Sequence, residues 1–399
     1  MNNPKWILPI IVISQFCCTS LWFAGNGVLE NLIADFGLND RALGHLTSAV
    51  QFGFILGTLV FAIFTVADRY SPSRVFFFSA FIAGIFNLGM LWNGNTLLSL
   101  LGARFLTGFF LAGIYPVGMK IAADHFQKGL GKSLSFLVGA LVLGTALPHL
   151  LKSTTGIYNW KAVILTISGL ALLGGLLILA MVPDGPYRHP GSKLDSTAIF
   201  KVFKNKNFRS AAFGYFGHMW ELYAFWAFIP VILNTYKEIH PQSSFLIPLW
   251  SFFIIGVGSI GCVIGGYVSQ QAGVKRTGFI ILLLSCVCCA ISPLAFSINS
   301  EMAFLVFLLF WGMVVIADSP LFSTLVANNA VGQLKGSALT IVNCIGFAIT
   351  ILSIQLINWL PEFMDPTFIY LLLIPGPLLG LVALGNKTKK GEKVKTKFI

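Results

Sequence analysis

Residues 277–297 read TGFIILLLSCVCCAISPLAFS, an unbroken run from Thr277 to Ser297 with no charged side chain. A helix needs ~20 apolar residues to cross a hydrocarbon core of ~30 Å, and inside lipid every backbone N–H and C=O must be satisfied within its own segment, so this run reads as a membrane-spanning helix. Lys275 and Arg276 bound it on one side, and Glu301 follows on the other. Working outward, comparable runs cover 6–31, 42–64, 74–93, 97–122, 132–151, 160–182, 209–233, 246–268, 302–326, 336–359 and 366–385. A chain that is 56% hydrophobic and 10% charged cannot hide that much apolar surface in a water-soluble core. A membrane barrel would show short alternating segments, whereas Ile280 to Leu284 and Phe304 to Phe310 are continuous. The expectation is an all-α membrane protein with 12 transmembrane helices.

The formal charge of +12 does not point to nucleic acid once its placement is considered. With the N-terminus cytoplasmic, the inner loops and both termini hold 20 Lys/Arg, the outer loops hold four (Arg41, Lys152, Lys161, Lys237), and Arg104 and Lys120 fall within a span. That bias follows the positive-inside rule and predicts a multi-pass protein of a cell membrane, the bacterial inner membrane, with both termini cytoplasmic. The basic tail, 386–399, reads as a topology and anionic-lipid anchor. Trp6, Trp160 and Trp359 read as interfacial anchors. The seven cysteines sit in or beside apolar runs, so neither disulfides nor a metal cluster is expected. The first run is long and follows a single Lys5, which argues against a cleaved signal peptide.

The longest interior polar stretch, Pro183 to Arg209, separates six runs from six. The expected organisation is two pseudo-symmetric six-helix bundles, 1–183 and 209–385, joined by a cytoplasmic loop at 184–208. A shift of 202 residues lays Asp68-Arg69-Tyr70-Ser71-Pro72-Ser73-Arg74 on Gln270-Gln271-Ala272-Gly273-Val274-Lys275-Arg276, each loop ending on Arg just before the next run. The preceding runs share Gly-x-x-x-Gly spacing, Gly53/Gly57 and Gly261/Gly265, which permits close helix approach.

These residues resemble the major facilitator superfamily of secondary transporters. Gly266 to Arg276 is similar to that family's inner-loop pattern Gly-x-x-x-Asp-Arg-x-Gly-Arg-Arg-Arg, and the first copy keeps the acid–base pair as Asp68-Arg69. Each copy departs from it: Phe64 and Ser71 replace two glycines in the first, and Gln270-Gln271 replaces Asp-Arg in the second. The resemblance implies a twelve-helix fold and a cytoplasmic gate held by Asp68, Arg69, Arg74, Lys275 and Arg276. Arg104-Phe105-Leu106-Thr107-Gly108 resembles the family's Arg-x-x-x-Gly motif on the fourth helix. The fifth run only loosely resembles the Gly-Pro helix of the drug:proton antiporters.

Independently of any family, several residues are unusual for their depth. Glu221, twelve residues past Arg209, lies ~18 Å into the bilayer, where a carboxylate costs ~2.5–3.5 kcal/mol. Burial disfavours its charged form, so it can load a proton from one side and release it to the other. His218 is three residues away and shares its helix face with Tyr215. Asp318, beside Ser319-Pro320, is a further proton-coupling candidate, and Pro320 should bend its helix. Arg104 lies ~12 Å deep and is costly there unless it meets an acceptor or a cavity. Lys120 follows on the same run, past Tyr115-Pro116. If both point inward, they make a cavity cationic. Gln15, Asn26, Tyr215 and Trp226 complete the expected solute-binding set. Each has a plainer reading: helix packing for Glu221 and His218, carbonyl binding for Arg104, snorkelling for Lys120.

The function expected is alternating-access transport of a small organic or inorganic anion, coupled to protons, by a monomer in the lipid bilayer without a cofactor. The alternative is a proton-coupled multidrug or metabolite efflux antiporter. A channel and a membrane enzyme fit less well: no acid, nucleophile and base gather in sequence, and no Gly-x-x-x-x-Gly-Lys-Ser/Thr loop is present.

Overall fold

The computed structural model describes residues 5–126, 130–155, 159–188, 201–330 and 334–385. The basic tail and 189–200 of the central loop lie outside the described residues. Among the described residues ten helices are long and apolar enough to span a membrane: α2 (Ala42–Ile63), α3 (Pro72–Leu91), α4 (Leu97–His125), α5 (Ser133–Thr154), α6 (Trp160–Met181), α7 (Lys206–Ile239), α8 (Ile247–Ala272), α9 (Val274–Phe296), α10 (Glu301–Asn329) and α11 (Lys335–Glu362). Two shorter apolar helices, α1 (Ile7–Thr19) and α12 (Ile369–Gly385), complete the twelve.

The first span is broken. After α1 the chain makes turns through Ser20–Phe23 and resumes as short helices at Ala24–Gly27 and Leu29–Phe36. Thr19 and Ser20 turn their hydroxyls back onto the carbonyls of Gln15 and Cys17, the local bonding that bends helices. Lys152 and Lys237, expected in loops, lie within α5 and α7, because both helices run further than their apolar cores.

Packing repeats between the halves. In the first half α1 packs on α5 and α6, α2 on α4, and α3 on α4 and α6; in the second α7 packs on α11 and α12, α8 on α10, and α9 on α10 and α12. The halves meet through α2 against α11 and α5 against α8, two contacts exchanged by the same pseudo-two-fold relation. Glycines make the tightest crossings possible. A methyl on Gly53 or Gly57 would overlap backbone of α4, and one on Gly261 would overlap backbone of α10. Gly108 and Gly312 answer them from α4 and α10.

The face carrying the Asp68–Arg74 and Gln270–Arg276 loops is termed the basic face. There the α8–α9 turn uses Gly273 at φ 87°, a region that disfavours side chains, whereas the α2–α3 loop places Thr65 at φ 48°. Proline breaks both central helices at matching depth: α4 turns at Ala112–Ile114 before Pro116, and α10 turns at Asp318 before Pro320. The carbonyl of Ile316, which Pro320 cannot bond, accepts from the Cys262 thiol instead.

Candidate functional site

At the face opposite the basic one, α2 and α11 are sewn together. Gln355 donates to Ser48 Oγ at 2.7 Å and to the Gly44 carbonyl at 3.0 Å. Asn358 donates to the Arg41 carbonyl at 3.0 Å, accepts from the Gly44 N–H at 3.2 Å, and Arg41 pairs with Glu362. At the basic face the same two helices part around a cavity of about 210 Å³ lined by Thr58, Pro116, Lys120, Asp68, Ser337 and Thr340, among others. The α2–α11 contact is therefore bonded together at one end and holds a cavity at the other.

Between seal and cavity lies a layer of rings drawn from both halves. Trp22 meets Phe54 at 4.7 Å, Phe347 at 5.7 Å and Tyr223 at 5.8 Å between centroids, and Phe54 meets Phe347 at 4.6 Å. Trp226 stands edge-on to Tyr223 at 5.5 Å. Trp226 is expected here from the sequence, but Phe54 and Phe347 are not; their only signal is a position on otherwise apolar helices, shared with many other Phe. Gln51 is a further residue the sequence does not single out. It lies one turn from Phe54 on α2 and is fully buried, with neither amide atom bonded among the described residues. Gln15 is likewise buried and unbonded, seated against Gly118 of α4. Asn26 instead donates to Thr47 Oγ1 at 2.8 Å, tying the broken first span to α2.

Arg104 is 1% exposed and aims at the break in the first span. Its Nη2 donates to the carbonyls of Trp22 at 2.5 Å and Leu21 at 3.0 Å, and Nη1 to Asn87 Oδ1 at 3.2 Å. The helix stops there, which leaves the Trp22 carbonyl without a backbone donor while that of Leu21 accepts only a longer bond from the Ala24 N–H at 3.4 Å, so the guanidinium acts as a cap for a broken helix. All three acceptors are neutral, so the charge stays uncompensated among the described residues. Lys120 is different. It pairs with Asp68 at 2.9 Å and with Asp124 at 3.5 Å on the wall of the open cavity.

The three deep titratable groups do not form one cluster. His218 Nδ1 lies 2.8 Å from Asp318 Oδ1, both side chains 1% exposed, while His218 Nε2 and Asp318 Oδ2 lack partners among the described residues. Glu221 turns away from His218. Its Oε1 accepts from Ser285 Oγ at 2.6 Å and Trp311 Nε1 at 2.7 Å, inside the second half between α9 and α10. Three residues on a helix fall ~60° short of a full turn, enough for the two side chains to enter different grooves. Tyr215 borders His218 and packs its ring over Gly346, and Tyr115 is partly exposed beside Pro116.

Of the residues expected at the basic-face gate, Asp68 holds Lys120, while Arg69, Arg74, Lys275 and Arg276 are exposed. The segment after α6 adds a clasp that the sequence does not reveal. Arg188 bonds the carbonyls of Asp68 and Tyr70 and pairs with Asp184, whose carboxylate also accepts from Ser71. Trp160 departs from the anchor reading: it is buried and donates to Asp35 at 2.8 Å, because the extended first span covers it. Among the described residues no three His, Cys, Asp or Glu side chains gather as a metal site would require.

Several known proteins are similar to this chain. It is 29% identical to the efflux pump FUB11 of Gibberella moniliformis over 36% of its length and 24% of that protein's. It is 25% identical to the probable galactarate/D-glucarate transporter GudP of Escherichia coli over 45% of its own length and 42% of the relative's. The chain thus spans less than half of either relative. The crystal structure of a mutant of the nucleoside transporter NupG superposes with a TM-score of 0.72 over 96% of this chain and 99% of that one, at 16% identity, which speaks for the fold alone. A profile of the Major Facilitator Superfamily matches residues 11–354. The duplicated six-helix packing, the paired glycine crossings and this match together make the chain a member of the Major Facilitator Superfamily.

Proposed function

We propose that the protein is a secondary active transporter that moves a small organic anion by alternating access, coupled to protons. The observation that carries this reading is the passage between α2 and α11, sealed at Gln355 and Asn358 yet open around Lys120 and Thr340. A rocking of residues 1–183 against 209–385 about the ring layer would reverse which end is open. The distribution of Lys and Arg supports a cytoplasmic basic face, with the cavity facing inward. The setting is a cell membrane, the bacterial inner membrane, with one chain forming one carrier.

The anion preference follows from Arg104, a buried cation with only neutral acceptors. The similarity to GudP, named for two organic anions, supports it. Proton coupling is assigned first to His218 and Asp318, a buried acid–base pair with one unbonded atom on each partner, and second to Glu221, whose oxygen is already held by two donors. The second reading is an efflux antiporter, favoured by the similarity to FUB11.

The test is internal pH in proteoliposomes offered galactarate, benzoate and cationic dyes in turn. An anion-dependent proton flux that Asp318→Asn abolishes supports the assignment. Anion uptake without any pH change refutes proton coupling, and flux driven only by dyes favours the efflux reading.

A further inference from the structure

We propose that the ring layer is the solute site and that its solute is an aromatic carboxylate. The ring would lie between Trp22 and Phe54 of one half and Tyr223 and Phe347 of the other, with the carboxylate in reach of the indole N–H groups of Trp22 and Trp226. The inference rests on the carrier reading above and names its substrate class.

Three independent features of the layer converge on that chemistry. The first is its composition. Four rings from four separate segments, two per half, face one another at 4.6–5.8 Å between centroids, distances at which aromatic faces and edges attract. With the halves together they fill each other's contacts. When the halves part, each half exposes two rings, and a planar solute restores on both sides the contacts that opening removes. An aliphatic chain of equal area offers burial but no such ring–ring attraction.

The second feature is a surplus of unmet donors. Trp22 Nε1 and Trp226 Nε1 are buried with no partner among the described residues, and both indoles pack around Tyr223. Gln51, one turn from Phe54, leaves its amide unbonded as well. Buried donors without acceptors are rare in folded proteins because each forfeits its bond to water, so a group of them marks a place where a polar partner is missing. An indole can only donate, and the missing partner must therefore accept.

The third feature is charge. Arg104 bonds the main chain of Trp22 itself, so an uncompensated guanidinium stands directly behind one of the four rings. The two deep acids of the second half are engaged elsewhere, Asp318 with His218 and Glu221 with Ser285 and Trp311. Rings, donors and a positive field together select a planar ring that carries a carboxylate.

The test is ligand binding to the full chain in nanodiscs, with benzoate, cyclohexanecarboxylate and benzamide as probes. Benzoate should bind about tenfold more tightly than cyclohexanecarboxylate, which has the charge without the aromatic ring, and more tightly than benzamide, which has the ring without the charge. Trp22→Phe and Trp226→Phe keep a ring and lose the N–H, and each should weaken benzoate by about fivefold to tenfold. Equal affinity for benzoate and cyclohexanecarboxylate, equal affinity for benzoate and benzamide, or no benzoate binding overturns the proposal. The wild-type selectivity series decides the matter even if a variant misfolds. Galactarate-driven proton flux without benzoate binding would leave the carrier reading standing and remove only this one.

Discussion

Arg104 reaches across from α4 to hold the carbonyl of Trp22 at 2.5 Å, so the broken first span is completed by a side chain from another helix. Arg104→Ala leaves the Trp22 carbonyl and Asn87 Oδ1 without that donor, each worth ~1–3 kcal/mol when unmet, and the Leu21 carbonyl with only its bond from Ala24. The variant should melt well below wild type in a thermal shift assay. Arg104→Lys, a point charge in place of a planar fork, should fall between the two. A wild-type melting temperature for Arg104→Ala would rule out the capping role.

Glu221 and Asp318 should separate cleanly. Trp311→Phe removes one donor from Glu221 Oε1 and should cost ~1–3 kcal/mol, read by chemical denaturation in detergent. Glu221→Gln keeps an accepting oxygen for Ser285 and Trp311, and should retain both the fold and solute-dependent proton flux. Asp318→Asn should lose the flux. Loss of coupling in Glu221→Gln alone would reverse the assignment.

The glycine crossings admit a sharp comparison. Gly53→Ala, Gly108→Ala and Gly312→Ala each drive a methyl into backbone of the facing helix, and overpacking of this kind costs ~1–3 kcal/mol or more. Expression of folded protein, followed by size-exclusion profile, should drop for all three. Gly169→Ala is the control, since nothing lies within reach of its added methyl, and helix propensity predicts a gain of ~0.5–1 kcal/mol. Equal behaviour of all four variants would mean the close crossings are not needed.

Which way the cavity opens can be read by labelling. Thr340 lines the cavity at the basic face. In a background with the seven native cysteines replaced by alanine, Thr340→Cys should react with a membrane-impermeant thiol reagent added from the cytoplasmic side of inside-out vesicles. Ser48→Cys, held in the seal with Gln355, should be protected from both sides until solute turnover opens it. Labelling of Thr340→Cys only from the outside would invert the topology read from the charges.

Much of this molecule is legible before folding is considered. Runs such as Thr277 to Ser297 require helices because lipid offers no partner for a free peptide group, and that requirement acts residue by residue along the chain. The Gly53/Gly57 and Gly261/Gly265 spacings disclose the duplication, and the structure gives both pairs the same task against α4 and α10. Depth also singles out Arg104, Glu221 and Asp318, since an ionisable group in hydrocarbon is costly wherever it faces.

Direction is not legible. A helix that is apolar all round has no preferred face, so nothing local tells that Glu221 enters the groove of Ser285 and Trp311 while His218, three residues away, meets Asp318. The break at Ser20–Phe23 is hidden for the same reason, because the Trp22 carbonyl it frees is satisfied by Arg104, a residue of another helix far along the chain. The sequence by itself determined how many helices cross the membrane, how they repeat and which charges are expensive. Only the tertiary structure decided which partner meets each charge and which end of the α2–α11 contact is bonded together, because those outcomes depend on contacts between helices remote in sequence.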